Sequence, residues 1–409
     1  MRHITRVLLI AAGYGCGDEA QVTQPREQRP APAVGAVAYQ VVKLPSLGGQ
    51  LSRGMAINSQ GWVAGWSMRP DGRRHAVLWR NQSITDLGTL GNLSSTVPWP
   101  GLNDLGTVVG ISQTFAVDPL EQDWSCELGG FLPETTDRVC RGFVWQGDGM
   151  RELPTLGGHN GFATDVNERN EVVGWAETLV EDPTCSSDAT QVLQFRAVVW
   201  DLKSGSKSRI KTRELPPLEG DSTSAATAIN DRGQAVGISG DCDQAVGRFS
   251  ARHALRWEPN GKITVLPHLG GTSWHTPMDI NAEGDVVGFS NPDEPGDREG
   301  EFISRAFLWT DGAAEALDLG TLGDDLFSEA FAINAHRQVV GISFGGTAGA
   351  RAFLYEDGVL KDLNDVIGGD DVFLSAQDIN DAGQITGRLL DHETGETLAF
   401  VATPVVEVP

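Results

Sequence analysis

Gly341-Ile-Ser343-Phe-Gly345 matches the G-x-S-x-G of a hydrolase nucleophile elbow, which exposes a serine on a sharp strand-to-helix turn. The same Gly-x-Ser recurs at Ser67, Ser112, Ser239 and Ser290, so this serine belongs to a periodic pattern that offers no helix to turn into. The eight histidines include no H-E-x-x-H, and the chain has no C-x-x-C, no EF-hand loop and no phosphate-binding G-x-x-x-x-G-K-[ST]. No metal or cofactor is expected. Asp293, Glu294, Asp297, Glu299 and Glu301 would suit calcium through their oxygens, but charge runs in loops are usually solvated. What remains is a set of aromatic side chains outside any periodic position, namely Trp99, Phe115, Trp124 and Trp274 with His275, and the cysteines Cys126, Cys140, Cys185 and Cys242.

The elements that hold these residues come from self-comparison, because three short patterns recur in one order. The first ends a strand in Ile-Asn or a close variant, at Asn58, Asn103, Asn167, Asn230, Asn281, Asn334 and Asn380, and reaches a glycine seven residues later, at Gly65, Gly110, Gly174, Gly237, Gly288, Gly341 and Gly387. The second is a short apolar strand, usually closed by an aromatic, at 75–79, 141–145, 196–200, 253–257, 305–309, 351–355 and 398–401. The third resembles Asp-Leu-Gly-Thr-Leu-Gly-Gly and lies at 44–49, 86–91, 153–158, 215–220, 266–271, 319–323 and 363–369. The asparagines are 45 to 64 residues apart, a spacing that suits four-stranded propeller blades, and the β-branched, period-two segments between glycines read as strands. Asn-x-x-Gly suits a tight hairpin whose glycine is left-handed; Asn170 tolerates that conformation in the third copy, whereas Arg337 in the sixth is strained or marks a different turn.

Each unit then supplies strands a (to Ile-Asn), b (to Val-Val-Gly), c (the aromatic segment) and d (to Asp-Leu). The expected fold is all-β, one seven-bladed propeller over residues 37–404, followed by a short tail at 405–409. The last unit lacks a clear d motif while an orphan d strand precedes the first, so the N-terminal strand should complete the last blade and remove exposed edges. The strand-b glycine implies a close approach by a neighbouring strand or blade, and the recurring Trp implies packing between blades.

These motifs carry a resemblance. Asp86-Leu-Gly-Thr-Leu-Gly, Ala228-Ile-Asn-Asp-Arg-Gly-Gln-Ala-Val-Gly237 and Arg305-Ala-Phe-Leu-Trp309 resemble the HAF repeats of bacterial extracellular proteins, over residues 40–401, with Arg for His in most units. The resemblance implies export and a repeat β architecture, and no particular activity.

With 31 Lys+Arg against 55 Asp+Glu the net charge is -24, which disfavours nucleic acid as a partner. Residues 1–16 read as a secretory signal: Arg2 and Arg6, an apolar stretch, then Gly15 before Cys16. The stretch resembles a lipoprotein signal that would lipidate Cys16, the alternative being a plain signal peptide cut nearby; residues 17–36 are polar and read as a tether.

Exported proteins with an even cysteine number form disulfides. Cys126 and Cys140 lie in one b–c insert, and Cys185 and Cys242 in those of adjacent units, so those two pairs are expected. The b–c connections are long in units two to five, making an asymmetric rim on one face. The function expected is a monomeric, envelope-tethered or secreted propeller that binds a glycan or extracellular protein through this rim, at Trp99, Phe115, Trp124, Trp274 and His275, without catalysis. The alternative is a hydrolase or lyase acting on polysaccharide in the central funnel. Cys16→Ser should move the protein from the membrane to the soluble fraction, since a lipidated cysteine supplies the two or more acyl chains that stable anchoring needs; unchanged fractionation in detergent-free buffer would count against lipidation.

Overall fold

The computed structural model describes residues 38–122, 132, 137–186, 191–203, 210–243, 247–293 and 303–405. Among them, seven antiparallel sheets of four strands follow one another around a ring, with a single short helix, Leu363–Ile367. Six blades are each built from consecutive strands. The seventh takes strands a, b and c from Val372–Ile379, Ile385–Leu390 and Thr397–Val405, and its outermost strand is Ala38–Lys43, paired from Ala38↔Val405 to Lys43↔Phe400. Strands a face the axis, and the a–b turns lie on one face of the ring, opposite the b–c and d–a connections.

The strand-b glycines follow from an irregularity in strand a. In six blades the a–b register shifts just before the Ile-Asn pair, for example between Gly54 and Ala56, Ala226 and Ala228, and Ala376 and Asp378. A carbonyl of strand a is thereby pressed against strand b. A Cβ added at Gly65, Gly110, Gly174, Gly237, Gly288, Gly341 or Gly387 would lie 2.0–2.2 Å from the carbonyl oxygen of Arg53, Thr96, Phe162, Ala225, Thr276, Glu329 or Ser375. The close approach is made by the glycine's own blade. At the turns, Arg337 adopts φ 59°, beside 55° for Asn170 and 79° for Gly233, and its N–H donates to the Asn334 carbonyl as Gly233 does to Asn230. The turn is unchanged and the strain is borne by arginine.

The asparagines do more than turn the chain. Each Oδ1 accepts amides of its own hairpin, as Asn230 does from Arg232 and Gln234. Each Nδ2 donates to the backbone carbonyl of the next asparagine: 58 to 103 at 3.2 Å, 103 to 167 at 3.0, 167 to 230 at 3.1, 230 to 281 at 3.0, 281 to 334 at 3.3, 334 to 380 at 3.1, and 380 to 58 at 2.9. All seven are buried, so a closed circle of hydrogen bonds ties the blades at the turn face.

Other repeated residues tie the opposite face. The indoles of Trp79, Trp200 and Trp257 donate to the carbonyls of Pro45, Pro154 and Pro216, each just beyond the outer strand of the preceding blade. The hydroxyls of Ser67, Ser112, Ser239, Ser290 and Ser343 accept from the amides of Leu47, Leu90, Leu218, Leu269 and Leu322, which pins the d–a loops. At the start of strand c, His75, Arg141, Arg196 and Arg351 pair with Asp86, Glu152, Glu214 and Asp362.

Asn230→Asp keeps an acceptor for the turn but removes the donor to Asn281, and should cost about 2 kcal/mol because a buried carbonyl loses its partner beside a carboxylate. Gly237→Ala should cost at least about 2 kcal/mol through overpacking against the Ala225 carbonyl. Denaturant unfolding of the two variants reads both; a neutral Asn230→Asp would mean that the asparagines matter only for their own hairpins.

Candidate ligand-binding face

Strand b runs past the end of the sheet in blades 2 and 3, as Val108–Val117 and Glu171–Glu181, paired with strands c Arg138–Trp145 and Leu193–Asp201. Both extensions break register, between Gln113 and Val117 and between Glu177 and Glu181. The cause is the same in each: a threonine hydroxyl, Thr114 or Thr178, accepts the amide two residues on, from Ala116 or Val180, in place of a ladder bond. The residue between is thrown outward, leaving Phe115 68% and Leu179 74% exposed, with Val117 and Val180 also exposed.

The inserts are fastened to one another. Gln122 Oε1 of blade 2 accepts from the amides of Val192 and Leu193 in blade 3, both at 2.9 Å. Asn160 Nδ2 donates to Asp118 Oδ2 of blade 2 and to Glu177 Oε1. Blades 3 and 4 are joined by the Cys185–Cys242 disulfide, by Ser222 donating to Asp182, and by the amides of Cys242 and Asp243 donating to Thr184 and Gln191. Blade 5 is reached through the His275 amide on the Ala251 carbonyl and Arg248 on Ser273. The result is a braced crest on the b–c face.

Under the crest an apolar layer joins blades 2 to 6, including Trp99, Phe162, Trp175, Phe195, Phe289 and Phe331. Phe162 and Trp175 stack at 4.3 Å, and Trp99 meets both edge-on at 5.7 and 5.9 Å. This corrects two of the rim residues expected from sequence. Trp99, 1% exposed, is part of the layer and presents no surface. His275 is buried as well: its Nδ1 bonds the Ser290 hydroxyl at 2.8 Å and its ring stacks on His268, while burial and the neighbouring His268 lower its pKa to about 3, so it stays neutral. Trp274 is half-buried against the same layer. Trp124 and Cys126 lie outside the described residues, as does the acidic insert beyond Asp293. Cys140 is disulfide-bonded. Phe115 is the expected aromatic that stands free on the crest, and Leu179, Val117 and Val180 join it. Sequence reasoning passed over these three because aliphatic residues continuing a strand look like core; the signal was a strand b that outruns its glycine by more than five residues. Ser343, the elbow candidate, is buried, accepts from Leu322 and donates to Asp325 Oδ2 at 2.7 Å, so it has no exposed nucleophile to offer.

A second group of polar residues lies along the axis. Asp165, Asp279 and Asp378, on strands a of blades 3, 5 and 7, accept the amides of Ile229, Ile333 and Ile57 in the following blades at 2.8, 2.9 and 2.7 Å. Asp279 and Asp378 keep some solvent contact along the channel, but all three sit deep in the ring, where protein rather than water sets the cost of charge. Burial therefore raises Asp279 to about 6, burial and the charge of Asp279 raise Asp378 to about 7, and Asp165 is held well above the ordinary range chiefly by burial. Glu329, on strand a of blade 6, is fully buried, accepts from Ser304 at 3.2 Å and is raised by burial to about 8. At the turn face lies a shallow depression lined by Asn167, Glu168, Ile229, Asn230, Asp231, Ile280 and Ala282.

No protein-family model matches this chain, and no curated protein matches it. Solved structures do. The β-propeller domain of the Trilobed protease from Pyrococcus furiosus aligns at 11% identity and TM-score 0.50, over 86% of this chain and 93% of that one, and is described with an open velcro topology. The gluconolactonase XC5397 from Xanthomonas campestris aligns at 11% identity and TM-score 0.39, over 93% and 95% of the two chains. A Trypanosoma rangeli sialidase aligns at 12% and 0.40, over 91% of this chain and 59% of that one. The strand topology makes the chain a β-propeller, and the first of these likenesses agrees with it. The expectation that the chain lacks catalysis is corrected on the fold itself: a propeller serves enzymes and binding proteins alike, so it does not exclude turnover.

The axial aspartates and the buried Glu329 make stability depend on pH. Each holds its proton more tightly folded than unfolded, so between about pH 4, where the unfolded carboxyls ionise, and the raised native values, the native state keeps protons that the unfolded chain has released. Their contribution is complete below about pH 4 and is lost as pH rises through about 6 for Asp279, about 7 for Asp378 and about 8 for Glu329. Asp279→Asn with Asp378→Asn retains acceptors for Ile333 and Ile57 without the titration. Calorimetry at pH 5 and 8 should find a smaller drop in melting temperature for this variant than for the wild type, and equal drops would contradict the assignment.

Proposed function

We propose that this protein is an exported propeller that docks an extracellular protein on the crest of blades 2 to 4. The observation that carries the reading is the pair Phe115 and Leu179, set at matching places on adjacent blades, exposed, and braced from below and beside. Large apolar side chains on a rigid, preorganised surface supply binding free energy at little ordering cost. Because the exposed group is mainly aliphatic, with Val117 and Val180, a protein surface suits it better than a glycan. The Cys185–Cys242 disulfide agrees with an oxidising compartment. Ala38 lies at the turn face, since it pairs with Val405 at that end of the blade. A lipid on Cys16 and a tether over 17–36 would then hold the turn face toward a membrane and the crest away from it.

A second reading is favoured by one observation, the carboxyl groups of Asp279 and Asp378 on strands a, whose pKa values are raised to about 6 and 7. Acids held protonated near neutral pH are what glycosidic bond cleavage needs from a proton donor. In this reading a polysaccharide end would enter from the turn face. Reducing-end release from a polysaccharide panel, present in the wild type and abolished by Asp279→Asn with Asp378→Asn, would support it.

For the crest, the double variant Phe115→Ala, Leu179→Ala should weaken partner binding about 30-fold, equivalent to about 2 kcal/mol, for a surface-protein ligand identified on an array. Unchanged affinity for that ligand would remove the crest from consideration.

A further inference from the structure

The crest carries charge as well as apolar surface. Glu121 and Asp137 flank Phe115 and Val117 on the blade 2 insert, and Glu181 follows Leu179 and Val180 on the blade 3 insert; all three are exposed. Among the described residues no ion pair involves any of them, whereas cations of the same region are engaged: Arg141 with Glu152 at 2.9 Å, Arg196 with Glu214 at 3.3 Å, Arg252 with Asp241, and the Arg138 guanidinium on the Phe115 carbonyl. Three of these arginines are thus neutralised within the scaffold, Arg138 is held against the Phe115 carbonyl, and the three carboxylates border the apolar strip.

The way Glu121 and Asp137 are held adds to this. Both sit at positive φ, 53° and 50°, on the rim of the hairpin, a conformation that costs a non-glycine residue free energy and is fixed here by the Asp118 amide on the Asp137 carbonyl and the Glu121 amide on the Asp118 carbonyl. The backbone at both places is fixed, so the two side chains leave from set points on the rim. On a chain of net charge -24 they extend the long-range field to the very edge of the apolar contact.

We propose that the partner seated on this crest is a protein segment in which apolar side chains alternate with lysine or arginine. The inference rests on the crest being the docking face and adds the chemistry of what docks there. Apolar residues of the segment cover Phe115, Val117, Leu179 and Val180, and its cations meet Glu121, Asp137 and Glu181. An acidic segment is repelled, and a neutral one loses the electrostatic part of both encounter rate and selectivity.

Three synthetic twelve-residue peptides, alternating Leu/Lys, Leu/Ser and Leu/Glu, serve as probes against the full chain, by fluorescence anisotropy in 0.15 M salt. Three variants accompany the wild type: Phe115→Ser with Leu179→Ser; Glu121→Gln with Asp137→Asn and Glu181→Gln; and, as a control for net charge, the exposed residues Glu315→Gln, Asp370→Asn and Glu393→Gln in blades 5 to 7. All changes are on the surface, and circular dichroism checks that each folds. The expected result is Leu/Lys binding that falls at least tenfold in the first two variants and is unchanged in the control, with Leu/Glu not binding. Leu/Lys binding that falls equally in the control would reduce the effect to net charge and overturn the proposal, as would no Leu/Lys binding at all. Leu/Ser binding as tight as Leu/Lys, lost only in the Phe115, Leu179 variant, would also overturn it while leaving the crest as the docking face. Leu/Lys binding indifferent to both crest variants would instead dispose of the crest itself.

Discussion

Each of the seven turn asparagines uses its carbonyl oxygen on its own hairpin and its amide nitrogen on the neighbouring blade, and the seventh returns to the first. A side-chain amide can accept locally through its oxygen and donate outward through its nitrogen at once. Because the bonds are buried, an interruption leaves a carbonyl without water or partner, so the seven positions stand or fall together. The blades are otherwise joined mainly by side-chain packing, which has no direction of its own. The circle sets where each strand a must lie, and from that follow the bulge, the carbonyl it turns outward and the glycine of strand b that receives it.

Much of this could be read from the residues, and the unread part has an identifiable physical reason. The glycines, the tryptophans and the turn geometry were legible because each leaves a trace within a single repeat: Gly237 where a carbonyl presses, Trp257 at the end of an apolar strand, Asn170 and Arg337 where a glycine is missing. The circle of asparagines was not, since a local turn already accounts for Asn and nothing in one repeat reveals the donor reaching the next. The axial carboxyls are of the same kind: Asp165, Asp279 and Asp378 occupy the same place in alternate repeats, yet their meeting is a property of the closed ring.

The candidate surface was legible only in outline. Length of the b–c inserts located the face, but side-chain type did not say which residues it would present. Trp99 and His275 are large and interruptive in sequence, and both went to fill the space under the crest, where a ring stacks or finds a hydroxyl. Phe115 and Leu179 owe their exposure to a threonine that captures an amide, a feature too local and too common to stand out beforehand. Whether a propeller turns over a substrate is less legible still, since a shared ring of blades serves chains of quite different activity.

Among the described residues the outer strand of the last blade is the first strand, Ala38–Lys43, and its partner Thr397–Val405 is the last. During synthesis every other blade can complete itself from consecutive segments, whereas this one must wait for the C-terminal strand to arrive. Until then the nascent protein carries unsatisfied strand edges of the kind that recruit foreign chains. The late contact spans nearly the whole sequence, and forming it is entropically slow. The same seam that removes edges from the finished ring therefore makes the arrival of strand Thr397–Val405, rather than folding of any other blade, the moment at which the ring becomes safe from aggregation.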